Sequence, residues 1–98
     1  MKEIKTINQV QWPNENLDEN FKFSVVHPDG VFTFLFLFFN DRWNCWCTLP
    51  SGEIRGVGVE PNIMSWSGFL DYGIYFMTDL EVIDRNSLPL TQLFIVSW

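Results

Sequence analysis

The stretch VFTFLFLFFN at residues 31–40 limits the possible folds of this chain more than any other segment, because both of its alternating faces are apolar. Five of its ten residues are Phe. A membrane-spanning helix needs about 20 apolar residues, whereas Asn40, Asp41 and Arg42 end this run. A run rich in aromatic residues that follows a turn favours a β-strand. One such strand cannot close a transmembrane barrel, so we expect a soluble, unexported chain with no membrane partner.

Turn signals divide the chain around this run into further short strands. FKFSVV (21–26) alternates apolar and polar residues, and Asp29-Gly30 then supplies the geometry of a hairpin. A third strand, WNCWCTL, lies between the turns NDR (40–42) and PSGE (50–53). Later strands are IRGVGVE, one bent or two short strands in IYFMTDLEVID, and QLFIVSW. This pattern predicts an all-β fold: a single small antiparallel β-barrel or sandwich of six to seven short strands.

Two segments do not fit the strand pattern. Residues 1–19 are predicted to be an N-terminal extension or edge strand, in which KEIKTI forms the strand and NQVQWPNENLDEN a loop. Residues 61–73 are predicted to be the longest part of the β-domain without a strand. The β-barrel domain itself is expected to span residues 20–98.

The charge of the chain excludes one large class of partners. The formal net charge is −6, and only six residues are Lys or Arg. Nucleic-acid binding needs a basic stripe that neutralises phosphates. We therefore expect no nucleic-acid partner, and interpret the acidic surface as either a solubility device or a match for a basic protein.

The side chains that usually carry chemistry are few and scattered. Cys45 and Cys47 lie on one face of one strand, where a disulfide between them is geometrically poor, and His27 is the only histidine. A lone histidine in a turn is usually solvated, and a metal site needs more ligands than these three residues supply. We therefore predict no enzyme, no metal and no cofactor.

The carboxylates do not change that prediction. Most of them fall in loops, where ordinary solvation explains them better than a pair of catalytic acids. Asp79, Glu81 and Asp84 lie close together in the sequence, but they lack the spacing of a calcium-binding loop.

The apolar content is high for a chain of this length. Of 98 residues 47% are hydrophobic and 17% aromatic, and a domain of this size buries only a modest fraction of its surface. Because interfaces are enriched in aromatic side chains, some of these rings are expected to contact another protein. The candidate interface residues are Trp12, Phe32, Phe34, Phe36, Phe38, Trp43, Trp46, Trp66 and Trp98.

Two alternatives for these rings remain open at this stage. In the first alternative, the outer face of strand 31–39 is covered by the chain itself, through residues 1–20 and 61–73. In the second alternative, the rings line a pocket, and the chain is a monomeric β-barrel that binds a small apolar ligand. Because both faces of strand 31–39 are apolar, alternation alone does not decide which face is the core.

The order of turns and strands resembles a known family. An Asp29-Gly30 hairpin is followed by a long alternating strand and an Asn-containing turn into Trp43. A Ser51-Gly52 turn, a glycine-flanked valine strand, a Pro-Asn loop, Gly73-Ile74-Tyr75-Phe76 and a final L-x-I strand complete the pattern. Over about residues 20–98 this resembles the small baseplate plug family of contractile-tailed bacteriophages, known from cyanophage baseplates.

The resemblance implies a non-enzymatic structural role. A protein of this family is a virion component of the tail baseplate, assembled in the host cytoplasm. Its implied partners are hub, tail-tube and spike proteins, together with further copies of itself in the assembly. It helps to close the tail channel before contraction.

Overall fold

The protein folds as two antiparallel β-sheets that pack against each other in a sandwich. The computed structural model describes residues 3–13, 20–60, 64–68 and 72–98, the strand 64–68 by its backbone alone. The strands are β1 (Thr6–Gln9), β2 (Phe21–His27), β3 (Gly30–Phe39), β4 (Arg42–Thr48), β5 (Ile54–Val57), β6 (Met64–Gly68), β7 (Tyr72–Met77) and β8 (Gln92–Ser97). The all-β antiparallel fold is therefore confirmed, in its sandwich form rather than as a closed barrel.

The two sheets differ in how the chain builds them. The first sheet has the order β1-β8-β7-β6 and joins the two ends of the chain. The second has the order β2-β3-β4-β5, in which every strand pairs with its neighbour in sequence. Such a meander forms from consecutive hairpins, so its register follows from its turns.

The turns of the second sheet have the geometry that the sequence predicts. Pro28 and Asp29 separate the paired residues His27 and Gly30, and Gly30 has a φ of +135°. At the next turn Asn40 and Asp41 adopt φ values of 55° and 59°. Positive φ at both central residues is the mark of a type I′ turn, whose twist matches that of a hairpin.

These hairpins decide which face of β3 is the core. Val25 of β2 pairs with Phe32, and Cys45 of β4 pairs with Phe36. Paired residues share one face of a sheet, so the even-numbered side of β3 points inward. Phe32, Phe34 and Phe36 accordingly have no exposed surface.

The first sheet supplies the other half of the core. Ile74, Phe76, Leu93 and Ile95 are also fully buried, and Phe32 meets the ring of Tyr72 edge-on at a centroid distance of 5.0 Å. The aromatic rings of the second sheet therefore pack against mainly aliphatic side chains of the first.

The N-terminal segment belongs to the sandwich and supplies an edge strand, which is one of the two alternatives predicted for residues 1–19. β1 is the edge strand of the first sheet and pairs with β8 from Thr6↔Ser97 to Gln9↔Phe94. Val10 is buried in the core, and Trp12 packs against it. Pairing with β8 continues this strand to Gln9, beyond the predicted KEIKTI and into the segment that was predicted to be a loop.

Two further segments differ from the sequence prediction. β6 lies inside the segment 61–73, where no strand was predicted, and it pairs with β7 from Met64↔Met77 to Gly68↔Gly73. Beyond β7, residues 78–87 form no strand, and a short 3-10 helix (Leu88–Leu90) buries Leu88 beside the core. β6 raises the strand count in the described residues to eight, above the predicted six or seven.

Candidate functional site: a protein interface

The outward side of the second sheet carries a set of apolar side chains on neighbouring strands. We call it the outer face and define it by these seven residues: Val26, Val31, Leu35, Leu37, Phe39, Trp46 and Ile54. The alternation of each strand places them opposite the core positions. The outer face therefore has the same origin as the core, namely the two-sided apolar pattern of residues 31–39.

The strand register arranges this set in two apolar groups. Val26 lies opposite Val31 on β2 and β3, and Leu35 lies opposite Trp46 on β3 and β4. Opposed side chains in antiparallel strands are about 5 Å apart and contact each other directly. A row of hydroxyl side chains separates the valine pair from the larger group, which continues from Leu35 along β3; the row consists of Ser24, Thr33 and Thr48.

Several of these side chains are well exposed. The exposed fractions are 87% for Val26, 64% for Ile54, 49% for Val31 and 47% for Phe39. Leu35, Leu37 and Trp46 are half-buried by their neighbours. Contiguous apolar patches on soluble proteins commonly mark interaction sites, whereas single exposed apolar residues need no explanation.

The charges on the outer face have one sign. Among the described residues that point outward from this sheet, Lys22 and Arg42 are the charged ones, and none is Asp or Glu. The remaining polar positions are Ser24, Thr33 and Thr48, with Asn44 beside Leu37. A chain with a net charge of −6 therefore leaves this face free of carboxylates.

Most of the rings predicted to form an interface lie elsewhere. Phe32, Phe34, Phe36 and Trp43 are 0–3% exposed, so the prediction that they contact a partner is wrong. Their alternation places them between the two sheets, where the rings of Phe34 and Phe36 stack on those of β2. Trp43 also donates its indole N–H to the carbonyl of Asp84 at 2.9 Å, which ties β4 to the loop before the 3-10 helix.

Trp12 is likewise bound within its own domain. Its Nε1–H donates to the carbonyl oxygen of Thr91 at 2.9 Å, and its ring meets Phe36 at 5.4 Å and Phe23 at 6.1 Å. Both the indole N–H and the ring of this half-buried side chain therefore have partners within the domain. The interface role predicted for Trp12 is not supported.

The other four predicted rings have different positions. Phe38 points to the inner side, beside Trp43 at 5.2 Å and below the guanidinium of Arg85 at 4.9 Å. Trp98 is half-buried and lines a surface cleft near Lys5 and Tyr72. The side chain of Trp66 lies outside the described residues. Trp46 is the predicted residue that the structure places on the outer face.

The residues that complete the outer face were missed, although the sequence contains the signal for them. FKFSVV alternates clearly, with Phe21 and Phe23 on one side and Lys22 on the other. A two-residue turn after His27 pairs these inward positions with the even-numbered residues of β3. The odd-numbered residues then have to point outward.

The two thiols are chemically quiet. Burial raises the pKa of Cys47 to about 12, and burial together with the charge of the Cys47 thiolate raises the pKa of Cys45 well above its usual value. Both side chains are free, buried thiols. Because the thiolate is the nucleophile and the metal ligand, these cysteines act as small apolar core residues at neutral pH.

His27 is buried, in contrast to the solvated turn position that the sequence suggests. It is 5% exposed and stands edge-on to the ring of Phe32 at 5.3 Å. Its Nδ1 accepts a hydrogen bond from the backbone N–H of Asp29 at 3.1 Å, so one ring nitrogen helps to hold the hairpin turn. Its Nε2 has no partner among the described residues.

The described residues form no cluster of metal-ligating side chains. Within those ranges no group of three or more His, Cys, Asp or Glu side chains is close enough to hold a metal ion. No helix in the described part of the chain is long and apolar enough to cross a membrane. The apolar outer face is therefore the candidate functional site.

Comparisons with known proteins do not assign this site. No protein-family model, curated protein or solved structure matches the chain.

Proposed function

We propose that the protein is a non-enzymatic structural component of a bacteriophage tail, which binds a neighbouring baseplate protein through its outer face. The observation that carries the proposal is the apolar group of Leu35, Leu37, Phe39 and Trp46 on the outer face of a chain with a net charge of −6. Protein interfaces combine a desolvated apolar centre, depleted of charge, with a polar rim. The outer face has this composition, with Lys22 and Arg42 at its rim.

The assignment to a baseplate rests on the resemblance in the order of turns and strands to the small plug family. In that setting the outer face is buried against a hub, tail-tube or spike protein during assembly. The cationic rim favours a partner whose matching surface is apolar at its centre and neutral or acidic at its edge.

The alternative of a pocket for a small apolar ligand has less support. A pocket requires an empty cavity beside one face of strand 31–39. The inward face is instead packed with rings, since Phe34 stacks on Phe23 at 5.6 Å and Phe36 on Phe21 at 5.2 Å. A surface cleft of about 400 Å³ beside Trp43 is lined in part by polar and acidic residues. Its lining does not match the mainly apolar walls of such pockets.

The test is incorporation into tail-bearing particles. A gene that encodes the tagged chain replaces the original gene. Particles are then purified from the producing cells and analysed for the tag. The double variant Phe39→Glu/Ile54→Glu places two carboxylates on the outer face at exposed positions. We expect it to fold, as checked by circular dichroism, but to bind the partner poorly. We expect incorporation to fall at least tenfold.

A matched control separates the outer face from apolar exposure in general. Leu90 is 73% exposed and lies on the 3-10 helix, away from the second sheet. Leu90→Glu is expected to leave incorporation unchanged. The proposal fails if the tagged chain is absent from purified particles, or if the outer-face variant is incorporated as well as Leu90→Glu.

A further inference from the structure

The second sheet ends in an edge strand that is long and poorly protected. The described sheets have their edges at β1 and β6 and at β2 and β5. β1 and β5 have four residues each and β6 has five, whereas β2 has seven. Natural proteins protect edges with short strands, prolines, bulges, several charges or a covering segment. Among the described residues, the charge of Lys22 is the one such device on β2.

The hairpin geometry identifies which backbone groups of β2 are free. Because His27 and Gly30 close a two-residue turn, this pair and every second pair along the ladder exchange backbone hydrogen bonds. The N–H and C=O groups of Lys22, Ser24 and Val26 therefore point away from β3. The hydroxyl contact between Ser24 and Thr33 at 3.0 Å agrees with this, since side chains are closest at pairs without backbone hydrogen bonds.

The inner face of this edge is apolar, whereas its outer face carries Lys22, Ser24 and Val26. Val26 is 87% exposed on that outer side. On the inner side Phe21, Phe23 and Val25 are half-buried, although they pack against the core. A strand added at this edge would cover the inner apolar side chains and Val26, and it would also pair with the outward backbone groups.

We propose that this added strand is β2 of a second copy of the chain. The two strands run antiparallel about a two-fold axis at Ser24, so that Ser24 meets its counterpart and Lys22 faces Val26 of the second copy. In this register all three free residues lie in hydrogen-bonded pairs, and each inward residue meets an apolar side chain or His27. The second sheets of the two copies, each of four strands, then form one continuous sheet across the dimer.

The charge pattern of β2 suits a second copy. Lys22 is its one Lys, Arg, Asp or Glu residue, and the register places it opposite a valine rather than opposite the equivalent lysine. The two lysines then lie four residues apart along the strand, about 13 Å at the usual rise per residue. That separation exceeds the Debye length of about 8 Å at physiological ionic strength, so their repulsion is screened.

The dimer does not depend on the proposed function. It uses the backbone edge of β2, whereas the particle-incorporation test changes Phe39 and Ile54 on β3 and β5. The first measurement is the mass of the purified chain by light scattering over a range of concentrations. A dimer is expected, and a chain that stays monomeric at its highest soluble concentration would overturn the proposal.

A cysteine substitution tests the register itself. The Cβ atoms of a hydrogen-bonded antiparallel pair are about 5.5 Å apart, which is too far for an unstrained disulfide but within reach of a short thiol-specific cross-linking reagent. Ser24→Cys is therefore expected to give a covalently linked dimer when it is treated with such a reagent. The native thiols do not compete, because both are buried and the pKa of Cys47 is raised to about 12.

Thr33→Cys is the matched control, since it removes the same hydroxyl contact. Its side chain shares the outward side of the sheet but lies one strand further from the axis, about 14 Å from its counterpart by strand spacing. We expect at least tenfold less cross-linked dimer from Thr33→Cys, with both variants first shown to be folded by circular dichroism. Equal cross-linking of the two variants would overturn the proposed edge.

Discussion

Gly30 offers a sharp test of how the second sheet is held in register. It starts β3 with a φ of +135°, and a Cβ at this position would lie 2.7 Å from Cβ and 3.2 Å from Cγ of Pro50. Pro50 is a ring fixed to its own backbone, so it cannot rotate away from the added methyl group. Gly30→Ala is therefore destabilising for two reasons, the strained backbone and the overlap with Pro50.

The size of the effect follows from these two causes. A side chain in an unfavourable region of φ costs about 1–3 kcal/mol, and forced overpacking costs about 1–3 kcal/mol more. The lower entropy of Ala in the unfolded chain returns about 0.5–1 kcal/mol. The free energy of unfolding should fall by about 3 kcal/mol, which for a domain of this size lowers Tm by roughly 12–24 °C.

Two other glycines separate the causes. Gly52 has a φ of +94° but no atom within 4 Å of an added Cβ, so Gly52→Ala carries the backbone strain without the overlap. Gly56 has neither problem, and Gly56→Ala should leave stability unchanged or raise it by up to about 1 kcal/mol. Thermal and urea denaturation of the three variants should rank Gly30→Ala as the least stable. If Gly30→Ala unfolds together with Gly56→Ala, the contact with Pro50 does not hold this turn.

Two further predictions concern the core. Because burial keeps the Cys47 thiol protonated up to about pH 12 while the unfolded chain loses that proton near pH 9, stability should fall as pH rises between these values, by at most about 4 kcal/mol. The urea midpoint of Cys47→Ala should change less with pH over this range than that of the unsubstituted chain. An equal pH dependence of the two midpoints would contradict the raised pKa of Cys47. Trp12→Phe removes the hydrogen bond to the carbonyl of Thr91 and should cost about 1–3 kcal/mol in thermal denaturation, whereas Trp46→Phe on the outer face should cost less than half of that.

The sequence predicts the second sheet well because its information there is local. Its strands are joined by short turns, and the residues at the centres of the first two, Pro28-Asp29 and Asn40-Asp41, are of types that turns favour. The face of β3 that forms the core was also predictable in principle, from the alternation of FKFSVV and the length of the first turn. Most of the predicted interface residues lie elsewhere because the prediction rested on aromatic content and did not use the alternation of inward and outward positions.

The first sheet was harder to predict because its pairings are not local. β1 pairs with β8 at the other end of the chain, from Thr6↔Ser97 onward. Asn8 and Gln9, which the composition assigns to a loop, lie in β1 and pair with Ile95 and Phe94 of β8. A non-local contact also determines the burial of His27. This residue directly follows the exposed Val26 in the sequence, but the ring of Tyr72 from the first sheet lies over it at a centroid distance of 6.1 Å.

The position of the carboxylates connects the fold to the proposed binding role. The chain has twelve Asp and Glu residues, and a surface with no function in binding would be expected to share them, because exposed carboxylates promote solubility. On the second sheet they occur at turns and ends, such as Asp29, Asp41 and Glu53, but at no outward position within the described strands. Leaving apolar side chains there exposes the chain to aggregation. Burial of this face in an assembly removes that cost, which is why the absence of carboxylates from the outer face favours a binding role over a merely tolerated surface.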